Sequence, residues 1–256
     1  MFKRALVRPP GVGFEKGLTT ANLGPPVFER AVEQHERYCE TLERCGLGLT
    51  RLAPDPWFPD STFVEDTAVL AGRRAVITRP GAASRRGEVA AVREALQPFY
   101  ESFREITAPG TLDGGDVCEA GDHFFIGISK RTNEEGGRQL SGFLAEVGRS
   151  ASLVDIRDIE DILHLKSGIA SLGGKRLVAI DALAGHPVFR GFEIVRVAPE
   201  EGYAANLVLI NGTVLLAAGY PAMLSSLREL DYRVVTLDMS EFRAMDGGLS
   251  CLSLRF

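Results

Sequence analysis

The feature that most constrains this chain is an internal repeat. Hairpin-like segments recur at Val64-Glu65-Asp66-Thr67-Ala68-Val69-Leu70, Gly115-Asp116-Val117-Cys118-Glu119, Leu165-Lys166-Ser167-Gly168-Ile169-Ala170 and Ala205-Asn206-Leu207-Val208-Leu209-Ile210. Each runs into a turn and a second apolar stretch. The turns are Ala71-Gly72-Arg73-Arg74, Gly121-Asp122-His123, Gly173-Gly174-Lys175 and Asn211-Gly212, the last a strong two-residue hairpin signal. Helical periodicity predicts helices over 27–45, 88–100, 133–147 and 222–230. Strand-like runs end in Leu52-Ala53-Pro54-Asp55, Thr107-Ala108-Pro109-Gly110 and Val197-Ala198-Pro199-Glu200. One unit therefore reads hairpin, helix, strand.

Taking Asp66, Asp116, His164, Asn206 and Cys251 as equivalent points gives intervals of 50, 48, 42 and 45 residues, so five units fill the 256 residues. The last unit has no downstream partner strand after 248–254, and Ala5-Leu6-Val7-Arg8 has no upstream one. Pairing them closes a ring and covers two edges that otherwise invite aggregation. The expected fold is an α/β class, five-fold pseudosymmetric propeller of ββαβ units around a central polar pocket, with 1–256 forming a single catalytic domain.

Charge narrows the partners. With 34 acidic against 29 basic residues the chain carries no electrostatic footprint for nucleic acid or an anionic membrane surface, which leaves a small molecule as the expected partner. The first ten residues lack the apolar core of a signal peptide, and the apolar run 204–224 is broken by Asn206, Asn211, Gly212 and Pro221, so a cytoplasmic protein, monomer or homodimer, is expected. Cys39, Cys45, Cys118 and Cys251 form no CxxC pair, and His35, His123, His164 and His186 form no HExxH or paired-ligand spacing. No disulfide framework, structural zinc or catalytic metal is expected, and no cofactor. The glycine-rich stretch Gly11-Val12-Gly13-Phe14-Glu15-Lys16-Gly17 lacks dinucleotide-binding spacing and reads as a flexible loop, a candidate lid.

Ring symmetry would bring one polar residue per unit to the axis. Those residues, with their neighbours, are Glu65, Asp66, Asp113, Asp116, His164, Asn206 and Cys251, the last on a strand entered through Gly247-Gly248. Attack on a planar sp² carbon needs such a set: a thiolate nucleophile, an imidazole that protonates the leaving group and then activates water, and a carboxylate that orients the imidazole. From the residues alone, a packed thiol and a core histidine between Leu163 and Leu165 remain the competing readings. The carboxylates of Asp60, Glu65 and Asp66 suit a guanidinium or amidinium, against a merely solvated acidic loop. Arginines in 79–88 and 129–133 suit a carboxylate. Opposed clusters of this kind fit a zwitterion such as an arginine derivative.

At these residues the chain resembles the dimethylarginine dimethylaminohydrolases of the guanidine-modifying, or pentein, superfamily. The carriers are Asp60-Ser61-Thr62-Phe63-Val64-Glu65-Asp66, Arg79-Pro80-Gly81 with Arg85-Arg86-Gly87-Glu88, Leu112-Asp113-Gly114-Gly115-Asp116-Val117, Ser129-Lys130-Arg131-Thr132-Asn133, His164-Leu165-Lys166-Ser167, Ala204-Ala205-Asn206 and Asp246-Gly247-Gly248-Leu249-Ser250-Cys251. The resemblance implies Cys251 as nucleophile, His164 as proton donor and water activator, and Asp113 as the acid of the triad. It assigns Asp60, Glu65 and Asp66 to the substrate's guanidinium and amino groups, Arg85 and Arg131 to its carboxylate region, Leu18 and Met245 to backbone contacts, and Phe63 to a wall along the alkylguanidine. Some bacterial members have Glu-Ala where this chain has Asp113-Gly114, a pattern nearer the animal enzymes.

The implied reaction converts asymmetric dimethylarginine or monomethylarginine to L-citrulline and dimethylamine or methylamine through a thiouronium on Cys251. The acidic lining should raise the thiol pKa in the free protein, leaving a bound guanidinium to stabilise the thiolate. The alternatives are an arginine deiminase-like hydrolase of another guanidine compound, a non-catalytic binder of arginine derivatives, and a cysteine peptidase or glutaminase, which would need an amide-binding cleft. Cys251 and His164 together form a possible inhibitory zinc site.

Overall fold

A computed structural model of the chain describes residues 1–256. Fifteen strands form five three-stranded sheets. The strands are β1 (Arg4–Val7), β2 (Gly48–Arg51), β3 (Ala68–Ala71), β4 (Arg74–Ile77), β5 (Ser102–Glu105), β6 (Val117–Ala120), β7 (His123–Ile128), β8 (Ser150–Asp155), β9 (Ile169–Ser171), β10 (Arg176–Ala179), β11 (Glu193–Arg196), β12 (Val208–Ile210), β13 (Thr213–Ala217), β14 (Arg233–Leu237) and β15 (Ser253–Arg255).

Each sheet repeats one rule. An inner strand pairs antiparallel with the middle strand, and the middle strand pairs parallel with the outer one after a crossover, as in β3-β4-β5. The hairpin at Asn211-Gly212 has both residues at positive φ (49° and 87°), the twist that suits a two-residue connection. The ring closes as expected: β15 pairs antiparallel with β1, with Leu6 opposite Leu254, and β1 pairs parallel with β2.

Four crossovers are the anticipated helices, Phe28–Arg44, Val89–Leu96, Glu134–Ala145 and Pro221–Glu229. The fourth unit differs. Its crossover is one helical turn, Asp181–Ala184, followed by a short turn at Pro187–Phe189, too brief to leave a 3.6-residue pattern in the sequence.

The apolar core is divided among the five junctions between neighbouring sheets. Leu6 and Leu254 pack with Ala75 and Ile77; Val76 with Phe124 and Ile126; Phe125 with Leu177 and Ala179; Val178 with Val214 and Leu216; and Leu215 and Ala217 with Ala5 and Val7. Alternate residues of each middle strand thus face different junctions. This is why those strands read as continuous apolar runs rather than as alternating ones. No helix is long and apolar enough to cross a membrane.

At the axis the polar residues stitch one unit to the next. Asp66 Oδ1 accepts from Gly115 N (2.8 Å), Asp116 Oδ1 from Leu165 N (2.9 Å) and Asn206 Oδ1 from Ser250 N (3.0 Å). The recurrence of a polar residue at this phase therefore answers first to buried backbone donors that must be satisfied. His164 does not share the phase. It precedes its inner strand by five residues, whereas Asp66, Asn206 and Cys251 precede theirs by two.

Candidate active site

The three candidate catalytic residues lie at the short turns that enter inner strands. Cys251 lies in the single 3-10 turn Ser250–Leu252, just before β15, and not on the strand itself. The two preceding glycines are dictated by close approach. A Cβ on Gly247 would stand 2.2 Å from the Phe63 ring, and one on Gly248 2.5 Å from Asn206 Oδ1. His164 caps the turn Leu165–Gly168, and Asp113 precedes the turn Gly114–Asp116.

Asp113 Oδ2 is 3.0 Å from His164 Nε2. The acid is itself held, by Gly81 N on Oδ1 (2.8 Å) and through its own N–H on Thr132 Oγ1 (3.0 Å). The shorter aspartate thus reaches the ring. Gly114 is part of that fit, because a Cβ there would lie 2.0 Å from the Glu65 carbonyl oxygen.

A cavity of about 20 Å³ is lined by Leu18, Asp60, Phe63, Asp66, Arg85, Arg131, Leu163, His164, Met245, Asp246, Gly247 and Cys251. Nine residues expected on the substrate or the chemistry meet there, with Asp113 behind His164. Phe63 packs in a cluster with Phe14 and Phe242. Two further lining residues, Leu163 and Asp246, went unanticipated: an apolar neighbour of a histidine and a loop acid carry no distinctive spacing. Both also line an adjoining cavity of about 790 Å³.

Glu65 does not line this space. Its carboxylate binds Lys166 Nζ (2.6 Å), Arg255 Nη2 (3.0 Å) and Ser250 Oγ (2.8 Å). Arg85 is almost wholly internal. It donates to Asp66, to both Glu88 oxygens and to the carbonyls of Asp60 and Phe63, with only Nη1 keeping a spare N–H. Arg131, in contrast, makes no ion pair through its guanidinium.

The segment after the glycine-rich loop covers the cavity. Leu18 N donates to both Asp60 oxygens (3.0 and 3.2 Å), Thr19 Oγ1 to the Ala244 carbonyl (3.0 Å), and Thr20 through N and Oγ1 to Asp246.

Charge and burial set the protonation states. Burial, then Glu65 and Asp66, push the Cys251 thiol up to about 12. Burial alone would lower His164, but Asp66, Asp116 and Asp113 override it and hold the imidazolium to about 9. Burial likewise opposes ionisation of Asp66, yet the charges of His164 and Arg85 hold it near 2. The site at neutral pH therefore pairs a protonated thiol with an imidazolium. Asp66, Asp113 and His164 offer ligand atoms within 4.8 Å of one another, a group that does not include Cys251.

No protein-family model matches the chain. It is 46% identical over 257 residues, covering 100% of both chains, to N(G),N(G)-dimethylarginine dimethylaminohydrolase of Pseudomonas aeruginosa. The chain belongs to the dimethylarginine dimethylaminohydrolase family. The Streptomyces coelicolor protein of the same name is 37% identical, over 99% of this chain and 96% of its own. The structure superposes with a TM-score of 0.97, at 45% identity and full coverage of both chains, on a cysteine-to-serine variant of the Pseudomonas aeruginosa family member complexed with citrulline. The five-sheet pentein architecture is thereby that of the dimethylarginine dimethylaminohydrolases, and the protein is a hydrolase of that family.

Proposed function

We propose that this protein hydrolyses Nω-methylated L-arginines, asymmetric dimethylarginine and monomethylarginine, to L-citrulline and dimethylamine or methylamine. The observation that carries the reading is the meeting, around one small cavity, of the Cys251 thiol, the Asp113-oriented His164, the carboxylates of Asp60 and Asp66 and the cations of Arg85 and Arg131. All five units contribute to one catalytic domain, a cytoplasmic monomer or homodimer that needs no cofactor.

A cavity of about 20 Å³ admits roughly one water. Substrate therefore enters when residues 18–20 release Asp60, Ala244 and Asp246. The guanidinium then lies against Asp66 and Asp60, and the α-carboxylate meets Arg131 and the spare Nη1–H of Arg85. Phe63 walls the alkyl chain, and the Leu18 and Met245 backbones supply further contacts. Glu65 acts on the guanidinium through its field, its carboxylate being bonded elsewhere.

Burial and the acidic field together keep Cys251 protonated; binding of the guanidinium offsets the field, and the thiol proton leaves to solvent. The sulfur attacks the guanidinium carbon, the His164 imidazolium protonates the departing nitrogen, and the C–N bond breaks, leaving a thiouronium on Cys251. Neutral His164 next takes a proton from water. The hydroxide adds to the same carbon, the C–S bond breaks with its electron pair returning to sulfur, the hydroxyl proton passes to that sulfur to restore the thiol, and citrulline is released.

The test is citrulline release from asymmetric dimethylarginine, monomethylarginine and plain arginine, comparing wild type with Cys251→Ser. Turnover of the methylated substrates alone, abolished in the variant, supports the reading. Turnover of plain arginine would assign a deiminase, and absence of turnover a binder.

A further inference from the structure

We infer that Arg255 is a positioning residue which, with Glu65 and Asn206, clamps Ser250 and through it fixes the Cys251 thiol. The inference rests on the reading of Cys251 as nucleophile. Cys251 itself is weakly tethered: its N–H donates to the Gly248 carbonyl at 3.2 Å, and its sulfur is 3.9 Å from Ser250 Oγ. A three-residue 3-10 turn has little rigidity of its own, so its geometry is imposed from outside.

Ser250 is where that constraint is applied, because every polar group it has is engaged. Its N–H donates to Asn206 Oδ1 (3.0 Å), its hydroxyl donates to Glu65 Oε2 (2.8 Å) and accepts from Asn206 Nδ2 (3.2 Å), and its carbonyl accepts from Arg255 Nη1 (3.1 Å). Arg255 ties the clamp together. Nη1 also donates to Ser253 O (2.9 Å) and Oγ (2.8 Å), and Nη2 to Glu65 Oε1 (3.0 Å), the oxygen that Lys166 shares. One planar guanidinium thus braces the residues on both sides of Cys251 against a carboxylate from another unit.

The clamp works from behind. Ser250, Glu65 and Arg255 line a cavity of about 520 Å³, and none of them lines the cavity that holds Cys251, His164 and Asp66. Arg255 therefore has no route to the substrate there and acts only by placing the thiol. Misplacing a reacting atom by about 1 Å costs roughly 10²-fold in rate without a matching change in binding.

The experiment compares wild type, Arg255→Gln, Arg255→Lys, Ser250→Ala and the Cys251→Ser control for kcat and KM with methylated arginine, citrulline affinity and thermal melting. Expected are a loss of about 10²-fold in kcat for Arg255→Gln with KM and citrulline affinity within about threefold, and partial recovery in Arg255→Lys, which keeps the charge but not the fork. Ser250→Ala, which deletes the hydroxyl without exposing a buried charge, is expected to lose about tenfold in kcat. It decides the matter if Arg255→Gln does not fold.

Unchanged kcat in Ser250→Ala and in folded Arg255→Gln would overturn the inference, as would a rise in KM alone, which would make the network part of substrate binding. If wild-type turnover does not depend on Cys251, the nucleophile reading fails and the clamp with it. If turnover depends on Cys251 but these variants keep wild-type kcat, only the clamp fails.

Discussion

Replacing Asp113 by Asn tests the site where its geometry is tightest. The side chains are nearly isosteric and the position is fully buried, so the Gly81 and Thr132 contacts can persist while the oxygen facing His164 Nε2 at 3.0 Å becomes an amide or loses its charge. Loss of a hydrogen bond to a charged group is worth about 1.5–3 kcal/mol, or about 10- to 100-fold in rate. An amide that also sets the wrong imidazole tautomer raises the loss toward 10⁴-fold. We therefore expect kcat for citrulline release to fall by about 10²- to 10⁴-fold at saturating methylated arginine, with melting close to wild type. The alkaline limb of the rate profile should also move to lower pH, because Asp113 is one of the charges that hold His164 up to about 9. A folded Asp113→Asn protein with kcat within about threefold of wild type would refute the assignment.

Three further outcomes are expected. Alkylation of Cys251 in the free protein should accelerate about tenfold per pH unit past pH 9 without levelling, since its thiol is pushed up to about 12, mainly by burial; a plateau below pH 8 would show a preformed thiolate. Gly247→Ala should destabilise the fold by about 2 kcal/mol or more, lowering the melting temperature by at least about 4 °C, because its Cβ would meet the Phe63 ring at 2.2 Å; an unchanged melt would contradict that packing. His164 is raised in the folded state from 6.5 to about 9, so its stabilising contribution is full below pH 6.5 and disappears as pH rises through about 9. Denaturant titrations should accordingly show wild type losing more stability than His164→Asn across that window, and parallel curves would count against it.

Much of the architecture could be read from turn chemistry and periodicity. The Asn211-Gly212 hairpin, four crossover helices and the closure of Ala5–Val7 onto the final strand all leave local signals, because each depends on nearby residues or on an unpaired edge. The fourth crossover left none, being a single turn. The site was legible as a set of residues but not as a geometry. Asp116 and Asn206 share the repeat phase because they cap backbone donors of the next unit, and nothing in a linear sequence separates such a stitch from a catalytic group. Whether Glu65 points at the cavity or at Lys166 and Arg255 depends on side-chain direction across the axis. Ser250 and Arg255 flank Cys251 in ordinary-looking sequence, and their significance lies in long-range partners.

The covalent step is tested most directly by quenching wild-type protein during turnover of asymmetric dimethylarginine and locating the adduct by intact and peptide mass spectrometry. A transient mass gain of one substrate less dimethylamine is expected, mapped to Cys251, that disappears as citrulline forms. An adduct on any other residue, or full turnover of Cys251→Ser, would contradict that step.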